Sequence, residues 1–391
     1  MAEHPTKTVV RSRKVLIRGT NWLGDAVMST PALLRLREAL PDAHLTLLTH
    51  EKLGDLWQHF PSLDAVLTFA ADENPWSVAQ RLRAEGFGTA LVLPNSHRSA
   101  LEVWLARIPE RIGSAVPWRN WFLNRPVAPR PGHVAMRKRA VREIYRLAYA
   151  NSSAAASPAL TVRAVPGSAH QMQEYLHLAA ALGANPERVA PLVVVTAEEV
   201  QAAMSKFGLR SESVGERPMF GLNPWAEYGP AKRWPLAMFA AAAKEIQKRT
   251  NCLWLIFGGE PEVSVGAEIA DALGHGSAGA RKLASLTSLR ELCALLKLCR
   301  VVLTNDTGPM HVAAALGTPV VALFGSTSPE LTGPGLPGDT RHRLLSCSAP
   351  CAPCFHRTCP IDLRCMTGLS VESVVKAVME VVGAQAKTEP A

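Results

Sequence analysis

At 391 residues the chain is longer than one hydrophobic core sustains, so two domains of ordinary size are expected. Apolar residues make up 48% and charged residues 19%, which excludes wholesale disorder, and no apolar run reaches the length needed to span a bilayer. Lys and Arg outnumber Asp and Glu by 42 to 33, and that excess is unevenly placed.

The opening MAEHPTKTVVRSRK carries cations without an apolar stretch, so residues 1–13 read as a short flexible leader rather than a signal peptide, and the protein is expected in the cytoplasm. Val15, Leu16 and Ile17 then form a buried strand, Gly19 and Gly24 bracket a tight turn, and Leu33, Leu34, Leu36 and Leu40 repeat at helical spacing. Asp25 lies in the first turn of that helix, or Thr30 caps a helix that begins at Pro31. Either way Asp25 stands at the carboxyl end of the first strand, where open α/β sheets place ligands. Taken alone it reads as a helix cap, with Trp22 a core aromatic. The G-T-N-W-L-G-D turn has neither G-x-G-x-x-G nor G-K-[ST], so a nucleotide is expected elsewhere.

Strands are expected at 45–49, 65–69 and 89–94, with helices at 51–60, 75–85 and 96–106, the alternation of a parallel doubly wound sheet. Residues 107–135 are rich in Pro and Arg and read as long loops, followed by helices at 141–150 and 171–182. From Arg98 to Arg146 run eleven cations (Arg98, Arg107, Arg111, Arg119, Arg125, Arg130, Arg137, Lys138, Arg139, Arg142, Arg146) against Glu102, Glu110 and Glu143. Trp118, Trp121 and Phe122 are interleaved with them. Such a surface suits an anionic partner, or is simply a solvated face; no nucleic-acid motif accompanies it.

The segment 184–217, with Pro and Gly breaks around a strand-like LVVV, is where the domain boundary is expected. A second α/β set follows: strands at 219–223, 300–306 and 319–325, a strand then turn at 252–259, and helices at 236–248, 262–273, 289–298 and from Thr307 to Gly317. Two nucleotide-fold-like halves of this kind make a cleft. A last helix at 371–382 could run back across the junction.

Two stretches of the second half carry chemistry. In N-D-T-G-P-M-H, Gly308 admits a close backbone approach, and the N–H groups and dipole at the start of the helix suit a pyrophosphate. Asp306 and His311 can add polar contacts, although for His311 alone a satisfied core histidine is the stronger reading. In N-P-W-A-E-Y-G-P-A-K-R-W-P, Lys232 and Arg233 put cations where a diphosphate leaving group gathers charge. The same loop could be a surface element anchored by Trp225 and Trp234. Glu260, after an F-G-G turn, stands where an acidic side chain often binds ribose.

GTNWLGDAVMSTPAL, LPNSHRSA, NPWAEYGPAKRWP and TNDTGPMHVAAALGTPVVALFGSTSPE together resemble the motifs of the lipopolysaccharide core heptosyltransferases, glycosyltransferase family 9, and are most similar to the type II branch. The resemblance runs from about Val15 to Pro329. It implies an α/β GT-B fold of two Rossmann-like domains: an acceptor domain over 14–190, a linker region at 191–217 and an ADP-heptose domain over 218–345. A Cys-rich loop (346–369) and a C-terminal helix and tail (370–391) follow. It implies inverting transfer of heptose from ADP-heptose to Kdo-lipid A already bearing heptose, without a required metal. Asp25 falls on the family's general base, Lys232 on the lysine that holds the donor phosphates, and Asp306, Thr307, Gly308 and His311 on the donor signature; Glu260 falls on the ribose position. Asn21, Trp22 and Arg98 are the implied acceptor contacts. Where type I members carry hydroxyl residues this chain has Glu227 and Tyr228. A monomer is expected, peripheral on the anionic cytoplasmic face of the inner membrane and binding no nucleic acid. Heptosyltransferase I or a later core heptosyltransferase is the nearest rival; a nicotinamide-dependent oxidoreductase is a distant one, opposed by the missing G-x-G-x-x-G.

Of eight cysteines, Cys347, Cys351, Cys354, Cys359 and Cys365 crowd into CSAPCAPCFHRTCPIDLRC. In the cytoplasm stable disulfides are not expected, which leaves a structural zinc or iron–sulfur site, or plain reduced thiols. Cys252, Cys293 and Cys299 read as core.

Overall fold

The computed structural model describes residues 13–149, 169–209, 216–260, 263–274 and 279–386; the expected leader, part of the linker region and the end of the tail lie outside them. The described chain divides into two units. Residues 13–133 and 169–194 form the first; residues 134–149 and the described residues from 195 on form the second.

The first unit is built on six parallel strands: β1 (Lys14–Arg18), β2 (His44–His50), β3 (Ala65–Phe69), β4 (Thr89–Val92), β5 (Glu110–Ser114) and β6 (Arg125–Val127), in the order β3-β2-β1-β4-β5-β6. Val15, Leu16 and Ile17 are fully buried, as a parallel strand covered by helices on both faces requires. The core on one face gathers Leu16, Phe69, Val78, Leu82, Val92 and Val103. β5 and β6 lie inside 107–135, which composition presents as loop. β6 is a three-residue edge strand whose Pro126 pairs opposite Gly113, and an edge is where a strand tolerates the missing donor. Residues 51–60 do not form an α-helix either. Glu51–Trp57 is a 3-10 helix that turns Leu53, Leu56 and Trp57 inward.

The helix after β1 runs Leu23–Ala39, so Asp25 is in its first turn and Pro31 is inside it. A proline there cannot donate to the carbonyl of Val27. The hydroxyl of Thr30 donates to that carbonyl instead, at 2.7 Å, and accepts from Leu192 N at 2.9 Å. Thr30 therefore mends the helix rather than capping it. LVVV forms no strand; its Leu192 is tied to this helix.

The second unit repeats the plan with β7 (Met219–Asn223), β8 (Leu253–Ile256), β9 (Ala280–Lys282), β10 (Val301–Asn305), β11 (Val320–Phe324) and β12 (Arg343–Ser346), all parallel in the order β12-β11-β10-β7-β8-β9. In each unit the strand order reverses between the first and fourth strands, the crevice where doubly wound sheets bind ligands. The last helix, Val371–Ala386, packs on β10, β11, β12 and the helix Leu236–Thr250, within this unit.

The helix Val141–Tyr149 also belongs here, which corrects the expectation of an unbroken domain over 14–190. Ile144 is buried in the second unit's core, Arg139 N donates to Cys354 O at 3.1 Å, and Tyr145 OH donates to Pro360 O at 2.9 Å. Its apolar stripe finds its partner surface two hundred residues further along the chain.

Candidate functional site

In the first unit, polar groups gather at the carboxyl ends of β1 and β4. Asp25 is half-buried, and its Oδ1 accepts a hydrogen bond from the hydroxyl of Tyr175 at 2.9 Å. Tyr175 is buried on the helix Met172–Ala180, and the side chain of Gln171 hydrogen-bonds its hydroxyl. Burial first, and then the charge of Asp25, push the Tyr175 phenol well above its ordinary pKa. It remains a proton donor to the carboxylate at any working pH. The helix N-cap is Trp22, not Asp25, and Trp22 is 46% exposed rather than a core aromatic. Asn21 is exposed beside it, with Oδ1 accepting from Arg18 Nη1 at 3.1 Å.

Arg98 is tied to structure. Its Nε donates to Glu102 Oε1 at 2.9 Å and its Nη2 to Glu73 O. The other oxygen of Glu102 takes Arg18 Nε at 2.8 Å, with both of those side chains wholly buried, and the Arg18 guanidinium lies 4.4 Å from the centre of the Phe69 ring. Arg98 thus completes a charge triad under the carboxyl edge, and part of its side chain still reaches solvent.

In the second unit the matching crevice lies between β7 and β10. Asp306 directly follows β10, and its Oδ2 takes Lys232 Nζ at 2.6 Å and Thr327 Oγ1 at 2.5 Å. Thr327, on the turn after β11, also lines a cavity of about 440 Å³ bounded by Arg137, Arg139, Ser328, Ser346 and Phe355. The helix Gly308–Ala315 begins two residues after Asp306. Its N-cap, Thr307, makes no side-chain capping bond, so that hydroxyl does not occupy the N–H groups that would meet an anion. His311 is buried one turn in and is not without a partner. Glu260 is exposed, following the turn after β8.

Several contacts hold Lys232 in place. Tyr228 lies beneath its ammonium, 4.9 Å to the ring centre, and donates its own hydroxyl to Phe355 O at 2.8 Å. Gly229 sits at φ +152°, where a Cβ would strike Arg357 O, and Ala231 N donates to that same oxygen at 2.9 Å. Arg233 has other partners. It stacks 3.3 Å from the centre of Trp225 and donates to Ala226 O, while the buried Trp234 donates from Nε1 to Leu369 O at 3.0 Å. Tryptophans thus anchor the loop, and of its two cations it sets Lys232, not Arg233, against Asp306.

The Cys-rich segment is thus a buttress for the lysine loop. Among the described residues no three His, Cys, Asp or Glu side chains are grouped so as to hold a metal ion. Cys347 lies against Gly368 and Cys365 against Gly325. Burial pushes the Cys365 thiol up to about 12, helped by Cys351, Cys354 and Cys359 nearby. Cys347, Cys351 and Cys354 are raised by burial as well, which favours protonated thiols.

The profile of glycosyltransferase family 9 (heptosyltransferase) matches residues 133–364. The chain belongs to this family. Lipopolysaccharide heptosyltransferase 2 of Salmonella typhimurium is 31% identical to this family 9 chain over 329 residues, 82% of this chain and 85% of the relative. The Escherichia coli protein of the same name is 30% identical over 337 residues, with the same coverage. The solved structure of E. coli ADP-heptose LPS heptosyltransferase II superposes with a TM-score of 0.73 at 26% identity, covering 95% of this chain and 99% of that one. The two Rossmann-like units are those of a GT-B glycosyltransferase, as the sequence motifs imply.

Local sequence did not point to Tyr175, Gln171 or the Arg18–Glu102 pair, since none stands in a motif. Thr327 did carry a signal: it lies in F-G-S-T-S-P-E, at the carboxyl end of a strand.

Proposed function

We propose that the chain is a type II heptosyltransferase, transferring heptose from ADP-heptose, with inversion, to the first heptose of a lipopolysaccharide inner core. The observation that carries this reading is the similarity, over more than four-fifths of the chain, to proteins named heptosyltransferase 2. The geometry supplies matching chemistry.

Asp25 takes the proton of the acceptor hydroxyl as that oxygen bonds to the anomeric carbon. The bond from that carbon to the phosphate oxygen breaks, and ADP leaves with the electron pair. Lys232 and the N–H groups at the start of Gly308–Ala315 meet the charge that gathers on the diphosphate. Asp306 and Thr327 orient the lysine. Glu260 serves the ribose, and Asn21 and Trp22 contact the acceptor. The cavity beside Thr327 gives the sugar room next to the diphosphate. One carboxylate suffices, unlike the pair a glycosidase uses. No metal is needed for this charge stabilisation.

An acceptor that carries acyl chains lives in a bilayer, so the enzyme works at its surface. Among the described residues no helix is long and apolar enough to cross a membrane. The net charge of +9 favours peripheral attachment to anionic lipid on the cytoplasmic face, as a monomer. The test of the acceptor is to offer ADP-heptose with Kdo-lipid A bearing zero, one or two heptoses and to follow the mass. A gain on the one-heptose acceptor is expected; equal or faster transfer to the heptose-free acceptor would overturn the type II assignment.

A further inference from the structure

Between β5 and β6 the first unit carries a turn that holds two tryptophans away from the protein. Trp118 is 77% exposed and Trp121 80%, more than any other large apolar side chain among the described residues. The residue next to Trp118 does the opposite. Arg119 is wholly buried, and its guanidinium donates to Pro94 O and Ser114 O at 2.6 Å each and to Ser96 O at 3.3 Å. Those carbonyls lie just beyond β4 and at the last residue of β5. Asn120 Oδ1 accepts from Val116 N at 2.9 Å, and Arg111 Nε donates to Phe122 O at 2.8 Å. Phe122 packs edge-on against Trp104, with ring centres 5.7 Å apart.

The turn is therefore pinned from inside. Trp118 itself sits at φ +64°, a left-handed conformation that a bulky residue seldom adopts unless its surroundings impose it. Water is a poor environment for two indoles, whose apolar bodies and N–H tips suit the headgroup layer of a bilayer. The local charge points the same way. From Trp104 to Val127 there are four arginines (Arg107, Arg111, Arg119, Arg125) and one acid, Glu110, which Arg125 binds. Arg107 is exposed.

Position adds a third argument. All strands of this sheet are parallel, so the turn after β5 emerges from the same edge as Asp25 after β1, with only β4 between the two strands. At the usual strand spacing that is a lateral separation of about 10 Å. A lipid-anchored acceptor reaching Asp25 would approach that edge.

We propose that Trp118 and Trp121 seat this edge of the first unit in an anionic bilayer surface, with Arg107 meeting lipid phosphate. This rests on the reading that the enzyme works at a membrane, and it adds which residues make the contact.

The test is co-sedimentation with vesicles of phosphatidylcholine containing phosphatidylglycerol, comparing the full chain with Trp118→Ser/Trp121→Ser. The expected result is binding of the unaltered protein that weakens with salt, is quenched by brominated lipid, and falls on the order of 10-fold in the double variant. Transfer to a detergent-dispersed acceptor should be unchanged, which shows that the variant folds. If both proteins bind vesicles equally, the tryptophan turn is not the contact, although the membrane reading survives. If the unaltered protein does not bind at all, both fall. A concentration-dependent dimer that the double variant abolishes would also overturn the proposal, since the indoles would then cover a second copy.

Discussion

The hydroxyl of Tyr175 donates to Oδ1 of Asp25 at 2.9 Å across 150 residues of sequence. The side chain of Gln171 also hydrogen-bonds the phenolic oxygen, and the phenolic hydrogen goes to the carboxylate. Such a bond fixes the carboxylate's orientation and stabilises its charged form. Tyr175→Phe removes the donor, so the Asp25 pKa rises. The acidic limb of the kcat/KM profile should then move to higher pH, with the KM for ADP-heptose unchanged. A loss of activity with an unmoved limb would reduce Tyr175 to packing.

Asp25→Asn should lower kcat by about 100-fold or more while leaving donor affinity near its original value, because a base acts only as the proton moves. Calorimetry with ADP-heptose separates the two effects. A variant unable to bind donor would reverse the assignment.

Lys232→Ala should behave differently, weakening ADP binding as well as slowing transfer, since the ammonium meets the diphosphate before and during reaction. A loss of about 10-fold or more in donor affinity is expected from removing a charge-assisted contact of this kind. Arg233→Ala, which unstacks Trp225, is expected to loosen the loop and to raise protease sensitivity there. Donor affinity unchanged in Lys232→Ala would remove the lysine from the diphosphate site.

Glu102→Ala should destabilise the first unit by about 3–5 kcal/mol, because it strands the buried Arg18 charge. Arg18 and Glu102 are both 0% exposed. Arg18→Met combined with Glu102→Leu should recover most of that loss in a denaturant titration. An equal loss in the double variant would indicate damage to packing rather than an orphaned charge.

His342 predicts acid sensitivity. It is 5% exposed, its Nδ1 accepts from Val320 N at 3.2 Å at the start of β11, and burial pushes its pKa down to about 4 although Asp339 opposes this. Unfolded, the imidazole titrates near 6.5. Between these values the unfolded chain binds more protons. The contribution is therefore whole above about pH 6.5 and is lost as pH falls toward 4, amounting to roughly 3 kcal/mol. Denaturant titrations at pH 7.0 and 4.5 should show a smaller difference for His342→Gln than for the unaltered chain. Equal differences would place the acid sensitivity in other groups.

The alternation of apolar strand, turn and helix determined the doubly wound class of both halves, and with it the places of Asp25, Lys232 and the run Asp306–His311. Each of these lies in the connection or helix start that directly follows a strand, so local periodicity is enough to bring it to a carboxyl edge. Short edge strands escape that reading. Arg125–Val127 and Ala280–Lys282 have three residues each and no apolar run, and they exist because a neighbouring strand offers unpaired backbone. Proline inside the helix Leu23–Ala39 was undecidable locally, because the hydroxyl of Thr30 that repairs it is engaged by Leu192, far along the chain. The same holds for the partners of the candidate site residues. Tyr175 reaches Asp25, Thr327 reaches Asp306, and Phe355 and Arg357 brace the loop of Lys232 only once distant segments have packed. Which side chain fills such a place depends on how separate elements close over one another, and periodicity along the chain carries no record of that closure.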